Sequence, residues 1–398
     1  MHAALDSLQP YPFEKLAQLK AGITPPPDIT PIALSIGEPQ GPAPHFIREA
    51  VTANIAALAH YPTTLGTLPL REAIASWLNR RFQLGDSIKP ERHVIPLNGT
   101  REGLFSFAQA MIDNKKTAPA VLMPNPFYQI YEGAALLAGA EPILLNCTAD
   151  NGFIPDFSTI TPEIWKRCQL LYLCSPGNPT GAVISQATLT SLIQLAHQYH
   201  FIIVCDECYS EIYFDEDKPP IGLLQAAYDA GYTDYSRCIV FHSLSKRSNV
   251  PGLRSGFAAG DATILQHYLR YRTYHGCAMP PTTQAASTLA WQDEQHVIAN
   301  REQYRAKFNA VLAKLSPVMD VSAPDAGFYL WAKTPISDTT FSRLLYEQQH
   351  LTVLPGQFLA RDTITGNPGH QRIRMALVAS LEQCITAADR IHRLITTL

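Results

Sequence analysis

The sequence predicts an α/β protein built on a mainly parallel, seven-stranded sheet wrapped in helices, and three observations carry that prediction. Seven short apolar runs, three of them rich in β-branched residues, recur at 94–97, 120–123, 143–145, 170–174, 202–205, 239–242 and 257–259. Helical stretches such as 186–199 lie between runs, and this alternation is how parallel strands are joined. Several runs stop abruptly at polar or glycine- and proline-rich loops, where open α/β sheets keep their ligands.

Each element has its own justification. Thr24-Pro25-Pro26-Pro27-Asp28 reads as an arm or linker near the N-terminus. The run at 94–97 leads into Asn98-Gly99-Thr100-Arg101 and then a helical stretch over 102–111, so Gly99, Thr100 and Arg101 stand at a helix N-terminus, where backbone amides attract anions. The run at 170–174 ends in the turn Ser175-Pro176-Gly177-Asn178-Pro179-Thr180-Gly181. Phe201-Ile202-Ile203-Val204-Cys205 ends at Asp206, with Glu207, Cys208 and Tyr209 beyond, and Ile239-Val240-Phe241 runs into Ser243-Leu244-Ser245-Lys246. Three buried-looking strands thus bring Asn178, Asp206, Tyr209 and Lys246 to one sheet edge. A solvated surface charge is the bland reading of any single lysine, and only the convergence of the three strands argues against it here.

Composition bounds the answer. A chain of 398 residues with 46% hydrophobic content has room for about two domains and a large core. A net charge of -3 gives no support for nucleic acid or anionic membrane partners. No apolar run approaches the roughly 18 residues of a membrane span, and 1–11 lacks a basic-then-apolar secretory pattern, so the expectation is a soluble cytoplasmic protein. Cys205-Asp206-Glu207-Cys208 is formally a C-x-x-C, but with no second such pair and no H-E-x-x-H among 13 histidines, no metal is expected and the cysteines read as reduced thiols. The N-x-[ST] matches at Asn98 and Asn146 carry no weight without secretion.

Taken in order, the motifs resemble the class I/II aminotransferases, the fold-type I enzymes of pyridoxal 5'-phosphate, over nearly the whole chain. They are Gly37 in Ser-Ile-Gly-Glu-Pro; Tyr61 ahead of Leu70-Arg71-Glu72-Ala73; Asn98-Gly99-Thr100-Arg101-Glu102-Gly103; Pro126-Phe127-Tyr128; Asn178-Pro179-Thr180-Gly181; Asp206 with Tyr209; Lys246; Arg254; and Arg372-Ile373-Arg374. The resemblance implies a large cofactor-binding domain over 46–287, a small C-terminal α/β domain over 288–398, and an N-terminal segment, 1–45, that packs with the small domain.

It also implies roles, and chemistry explains why these residue types are wanted. Lys246 is the cofactor tether and the general acid/base, which needs an amine with a pKa below its free value near ~10.4. Asp206 faces the ring nitrogen, because the cofactor withdraws electrons only while that nitrogen stays protonated. Tyr209 and Asn178 reach the ring hydroxyl oxygen, and Tyr128 stacks on the ring. The phosphate is cradled by Gly99, Thr100, Arg101, Ser243, Ser245 and Arg254. Tyr61 comes from the partner subunit, so a homodimer is expected. Arg374 holds the substrate α-carboxylate through two parallel donors, with Gly37 and Asn178 beside it, whereas Arg372 is structural.

Finer stretches, 243–257, Ala326-Gly327-Phe328-Tyr329-Leu330-Trp331 and 353–361, look closely like the family's proteobacterial succinyldiaminopimelate aminotransferases. This implies small amino-acid and 2-oxo-acid substrates: amino-group exchange between glutamate/2-oxoglutarate and N-succinyl-2-amino-6-oxopimelate, ping-pong, in lysine biosynthesis. The succinyl substrate carries two further carboxylates, for which Arg247 and Arg272 are candidates. The alternatives are an aminotransferase for aspartate, aromatic or acetylornithine-type substrates, or a non-catalytic cofactor-binding regulator.

Overall fold

The computed structural model describes residues 3–398; Met1 and His2, which belong to the expected N-terminal arm, lie outside the described residues. Eight strands occupy the first two thirds of the chain: β1 (Ile32–Ala33), β2 (Val94–Leu97), β3 (Ala120–Asn125), β4 (Glu141–Asn146), β5 (Cys168–Cys174), β6 (Ile202–Asp206), β7 (Cys238–Ser243) and β8 (Gly256–Gly260). The last seven form one sheet in the order β2-β8-β7-β6-β5-β3-β4. Only β8 runs against the rest, antiparallel to both β7 and β2. Every residue of β2, β3, β7 and β8 is buried, which is why these strands read as continuous apolar runs rather than alternating ones.

This topology gathers the site. The register pairs Cys174 with Asp206 and Asp206 with Phe241, so β5, β6 and β7 end together. Because β8 is reversed, its first residue, Gly256, lies beside both Ser243 and Leu97. Arg254, two residues earlier, is thereby delivered to the edge where the parallel strands finish.

A second core lies beyond this sheet. Strands β9 (Tyr329–Lys333), β11 (Leu354–Pro355) and β12 (Arg372–Ala376) form an antiparallel sheet in the order β11-β12-β9, while β10 (Leu351–Thr352) pairs in parallel with β1. Ile32 and Leu34 of the N-terminal segment are buried in this core with Phe308, Leu330, Ile373 and Ile391. The division expected at 288 falls inside a continuous helix, Pro281–Gln292, whose Ala286, Ala290 and Trp291 belong to the large core. The next helix, Gln295–Leu315, first joins the second core at Phe308.

Candidate active site

The strand ends open into a cavity of about 540 Å³, and all the expected site residues except Gly99 and Tyr61 line it. A larger cavity of about 730 Å³ lies where β5 and β6 begin, lined by Cys168 and Ile202 together with surface cations such as Lys166 and Arg237. None of the motif residues is there.

Asp206, the last residue of β6, is buried, and burial raises the pKa of its carboxyl. Donors oppose that: the Cys208 side chain, the Tyr131 hydroxyl, which bonds to Oδ2 at 2.8 Å, and the Cys208 backbone N–H, which bonds to Oδ1 at 3.3 Å. Tyr131 is held in turn by stacking on Tyr172, with ring centroids 4.7 Å apart. Sequence reasoning missed Tyr131, although it lies one helical turn beyond Tyr128 and shares its segment.

Lys246 sits on the single helical turn Leu244–Arg247, which Ser243 caps by accepting a hydrogen bond from the Ser245 N–H at 3.0 Å. Its Nζ donates to the Gly37 carbonyl. Burial lowers its pKa from 10.5 to about 8; Cys208 and Glu38 resist the shift, and Arg374 and Arg254 add to it. The Thr100 hydroxyl lies 3.1 Å from the Cys208 sulfur in the same wall.

Gly99 does not line the cavity, but it shapes it. Its φ is +86°, and a Cβ there would come within 2.1 Å of an Arg254 guanidinium nitrogen. Arg254 therefore packs against bare backbone at the head of the helix Thr100–Met111. Gly37 is required for a comparable reason, since a Cβ there would lie 2.0 Å from the Tyr329 hydroxyl. That buried hydroxyl also lies 3.0 Å from the Tyr209 hydroxyl, so Tyr329 is a second wall residue that the motifs did not single out.

Arg374 is only 4% exposed, yet its partners are neutral: Nη1 donates to Asn178 Oδ1 at 3.0 Å and Nη2 to the Ser35 carbonyl at 2.7 Å. The guanidinium lies 4.5 Å from the centre of the Tyr329 ring. Arg101 also turns its side chain into the cavity, its Nε donating to the Tyr128 hydroxyl at 2.7 Å. Tyr61 is fully exposed, as are Tyr274 and much of Ile55 and Leu58, so Tyr61 does not reach the cavity of its own chain.

The two arginines expected near the succinyl group lie elsewhere. Arg247 is buried between the Trp77 and Trp291 rings, pairs with Glu294 at 2.7 Å and donates to the Ala290 carbonyl. Arg272 is wholly buried and closes on both oxygens of Glu102, at 2.8 and 3.0 Å. Neither lines the cavity, because each points into its own layer of packed helices, where an internal carboxylate neutralises it. Arg372 behaves as a structural residue, donating to the Trp331 carbonyl and lying over the Phe153 ring.

The cavity thus offers a lysine with a depressed pKa, a buried carboxylate and an arginine against a glycine at a helix N-terminus. A phosphorylated aromatic aldehyde fits this donor set, because the space left by the missing Cβ of Gly99 is closed by a cation rather than by packing. Fold and site together define a fold-type I pyridoxal-phosphate enzyme. The chain belongs to the aminotransferase class I and II family, whose model matches residues 29–391. It is 47% identical to an aminotransferase of known structure from Neisseria meningitidis, with 99% of this chain and 100% of that one covered and a TM-score of 0.95. It is 30% identical to the LL-diaminopimelate aminotransferase of Maridesulfovibrio salexigens over 98% of both chains. A probable N-succinyldiaminopimelate aminotransferase from Thermus thermophilus is 26% identical, with 96% and 99% covered and a TM-score of 0.82.

Proposed function

We propose that this aminotransferase exchanges an amino group between glutamate/2-oxoglutarate and N-succinyl-2-amino-6-oxopimelate, in a ping-pong cycle serving lysine biosynthesis. Three cavity arginines have no carboxylate partner among the described residues, and with Arg254 kept for the phosphate the observation that carries the reading is the remaining two, Arg374 and Arg101, which suit a substrate with carboxylates at both ends. The family's cofactor, pyridoxal 5'-phosphate, supplies when bound an aldehyde and an electron-withdrawing pyridine ring.

The chain's own residues do the rest. Lys246 would hold the cofactor through its amine and, when that amine is free, would move a proton at Nζ; a pKa near 8 leaves a useful fraction neutral at physiological pH. Asp206, oriented by Tyr131, keeps the ring nitrogen protonated. Tyr209 and the Asn178 amide nitrogen, whose oxygen is already committed to Arg374, donate to the ring oxygen. Arg254, Ser243, Ser245 and the amides at Thr100 and Arg101 hold the phosphate, and Tyr128 covers the ring. Arg374 takes the α-carboxylate, and the Arg101 side chain takes a distal one. Tyr61, exposed on its own chain, completes the site of a second copy in a homodimer.

A second reading, the unsuccinylated LL-diaminopimelate as amino donor, is favoured by the names of the relatives that match over nearly the full chain. One experiment addresses both: absorbance scans of the purified enzyme with glutamate, then 2-oxoglutarate, beside Lys246→Ala, followed by the two diaminopimelates in turn. Reversible conversion by glutamate, absent in the variant, together with turnover of the succinylated substrate alone, is the expected result. Turnover of LL-diaminopimelate alone would install the second reading.

A further inference from the structure

We infer that Tyr329 is a positioning residue that couples the carboxylate end of the cavity to Tyr209, so that the phenol acting on the cofactor is held by the same ring that supports Arg374. The inference rests on the reading of Tyr209 and Arg374 given above and adds a residue to it.

Three contacts converge on this one side chain. Its hydroxyl is 3.0 Å from that of Tyr209, which follows β6 in the large sheet. Its ring lies under the Arg374 guanidinium, 4.5 Å from the ring centre. Its hydroxyl also occupies the place where residue 37 would carry a Cβ, so the segment whose carbonyl receives Lys246 closes directly over it. Tyr329 is the first residue of β9 and pairs with Ala376, while Trp331 pairs with Arg374. Residues two apart share a face of a strand, so the register itself sets Tyr329 diagonally beside Arg374. One buried side chain thus joins the large sheet, the second core and the N-terminal segment.

The hydroxyl pair has a direction once Tyr209 is engaged. When Tyr209 donates its proton to an oxygen in the cavity, its own oxygen is left as an acceptor, and Tyr329 becomes the donor behind it. A donor backed by another donor is polarised and bonds more strongly. Burial raises the pKa of Tyr329, so the phenol keeps the proton this arrangement needs. Without that backing, the cofactor oxygen carries its negative charge less comfortably, and the nitrogen joined to Lys246 holds its proton more tightly.

The test is a pH titration of the visible absorbance band of the holoenzyme, in wild type, Tyr329→Phe, Tyr209→Phe and the double variant, each first shown to melt as a folded protein. Tyr329→Phe should raise the midpoint by roughly half a pH unit, a fraction of one net hydrogen bond. Tyr209→Phe should raise it further, and the double variant should match Tyr209→Phe, since a residue acting through another adds nothing once that other is gone. Gly37→Ala, which pushes the hydroxyl aside, should move the midpoint in the same direction as Tyr329→Phe. An unmoved midpoint in Tyr329→Phe while Tyr209→Phe moves it, or full additivity in the double variant, would overturn the inference. If neither single variant moves the midpoint, the role given to Tyr209 fails first and the inference with it.

Discussion

Two groups of arginines in the fold differ in what neutralises them. Behind the cavity, Arg81, Arg301 and Arg247 surround Glu211, Glu216 and Glu294, and Arg272 closes on Glu102. At the cavity, Arg374 and Arg101 are met only by neutral oxygens. An arginine already matched by a carboxylate of its own chain is architecture, since desolvating it without that match would cost several kcal/mol. One matched only by carbonyl and hydroxyl oxygens keeps its charge available for an anion that arrives later. Partner type, rather than burial, separates Arg374 from the first group, whereas Arg101 is exposed as well as unpaired with any carboxylate among the described residues.

The contrast is tested most severely at Arg374. Arg374→Ala should lower kcat/KM about 10²- to 10³-fold, in line with the ~2–5 kcal/mol lost when one partner of a buried charge pair is truncated. The melting temperature should hardly change, because no internal charge is orphaned. A variant as active as the wild type would mean the carboxylate binds elsewhere.

Glu211→Gln should do the reverse. Burial alone would raise the pKa of Glu211, but Arg81, Arg247 and Arg301 together hold it below 4.5. Removing the charge strands Arg81, while Arg301 and Arg247 keep Glu216 and Glu294, and urea denaturation should show a loss of about 3 kcal/mol, with kcat/KM per folded molecule nearly intact. The sign in pH follows. With the folded pKa below the unfolded one, Glu211 stabilises fully above the ordinary glutamate range, and its contribution is lost as pH falls through the folded value. A flat acid limb in the wild type would contradict this.

Arg101→Gln sharpens the comparison. It should raise KM for the substrate with a distal carboxylate by about 10-fold, the loss of one charged hydrogen bond, while monocarboxylate amino acids are unaffected. An equal rise for both would place Arg101 with the cofactor alone.

The mildest effect concerns Lys246, a cation of the cavity that does not stay charged. With an amine pKa of about 8, reconstitution of the cofactor-free enzyme should speed up roughly tenfold from pH 7 to pH 9 and then level off. The unfolded chain binds the extra proton between about 8 and 10.5, so this group makes stability rise with pH across that window. A rate still climbing past pH 10 would mean an unperturbed lysine.

Much of this was legible in the sequence because it is local. The seven apolar runs at 94–97 through 257–259 became the seven strands of the main sheet, and the residues closing those runs, Asp206, Ser243 and Lys246 among them, line the cavity. A strand period and the polar stop after it are properties of a few consecutive residues. Tyr131 and Tyr329 were given no role from the sequence because a tyrosine in an apolar segment looks like core until its hydroxyl finds a partner far along the chain, Asp206 in one case and Tyr209 in the other. Position 288 lies inside the helix Pro281–Gln292, which carries no break there; which core a helix joins is a matter of packing.

By itself, then, the sequence determined the strands, their order of chemistry and the family, since each depends on residue type and short-range spacing. Only the tertiary structure decided which arginines are spent on internal acids and which face the cavity, because Arg272 meets Glu102 across 170 positions of chain and Arg374 meets Asn178 across 196. The worth of a charge depends on its surroundings in space, and those are not set by its neighbours along the chain.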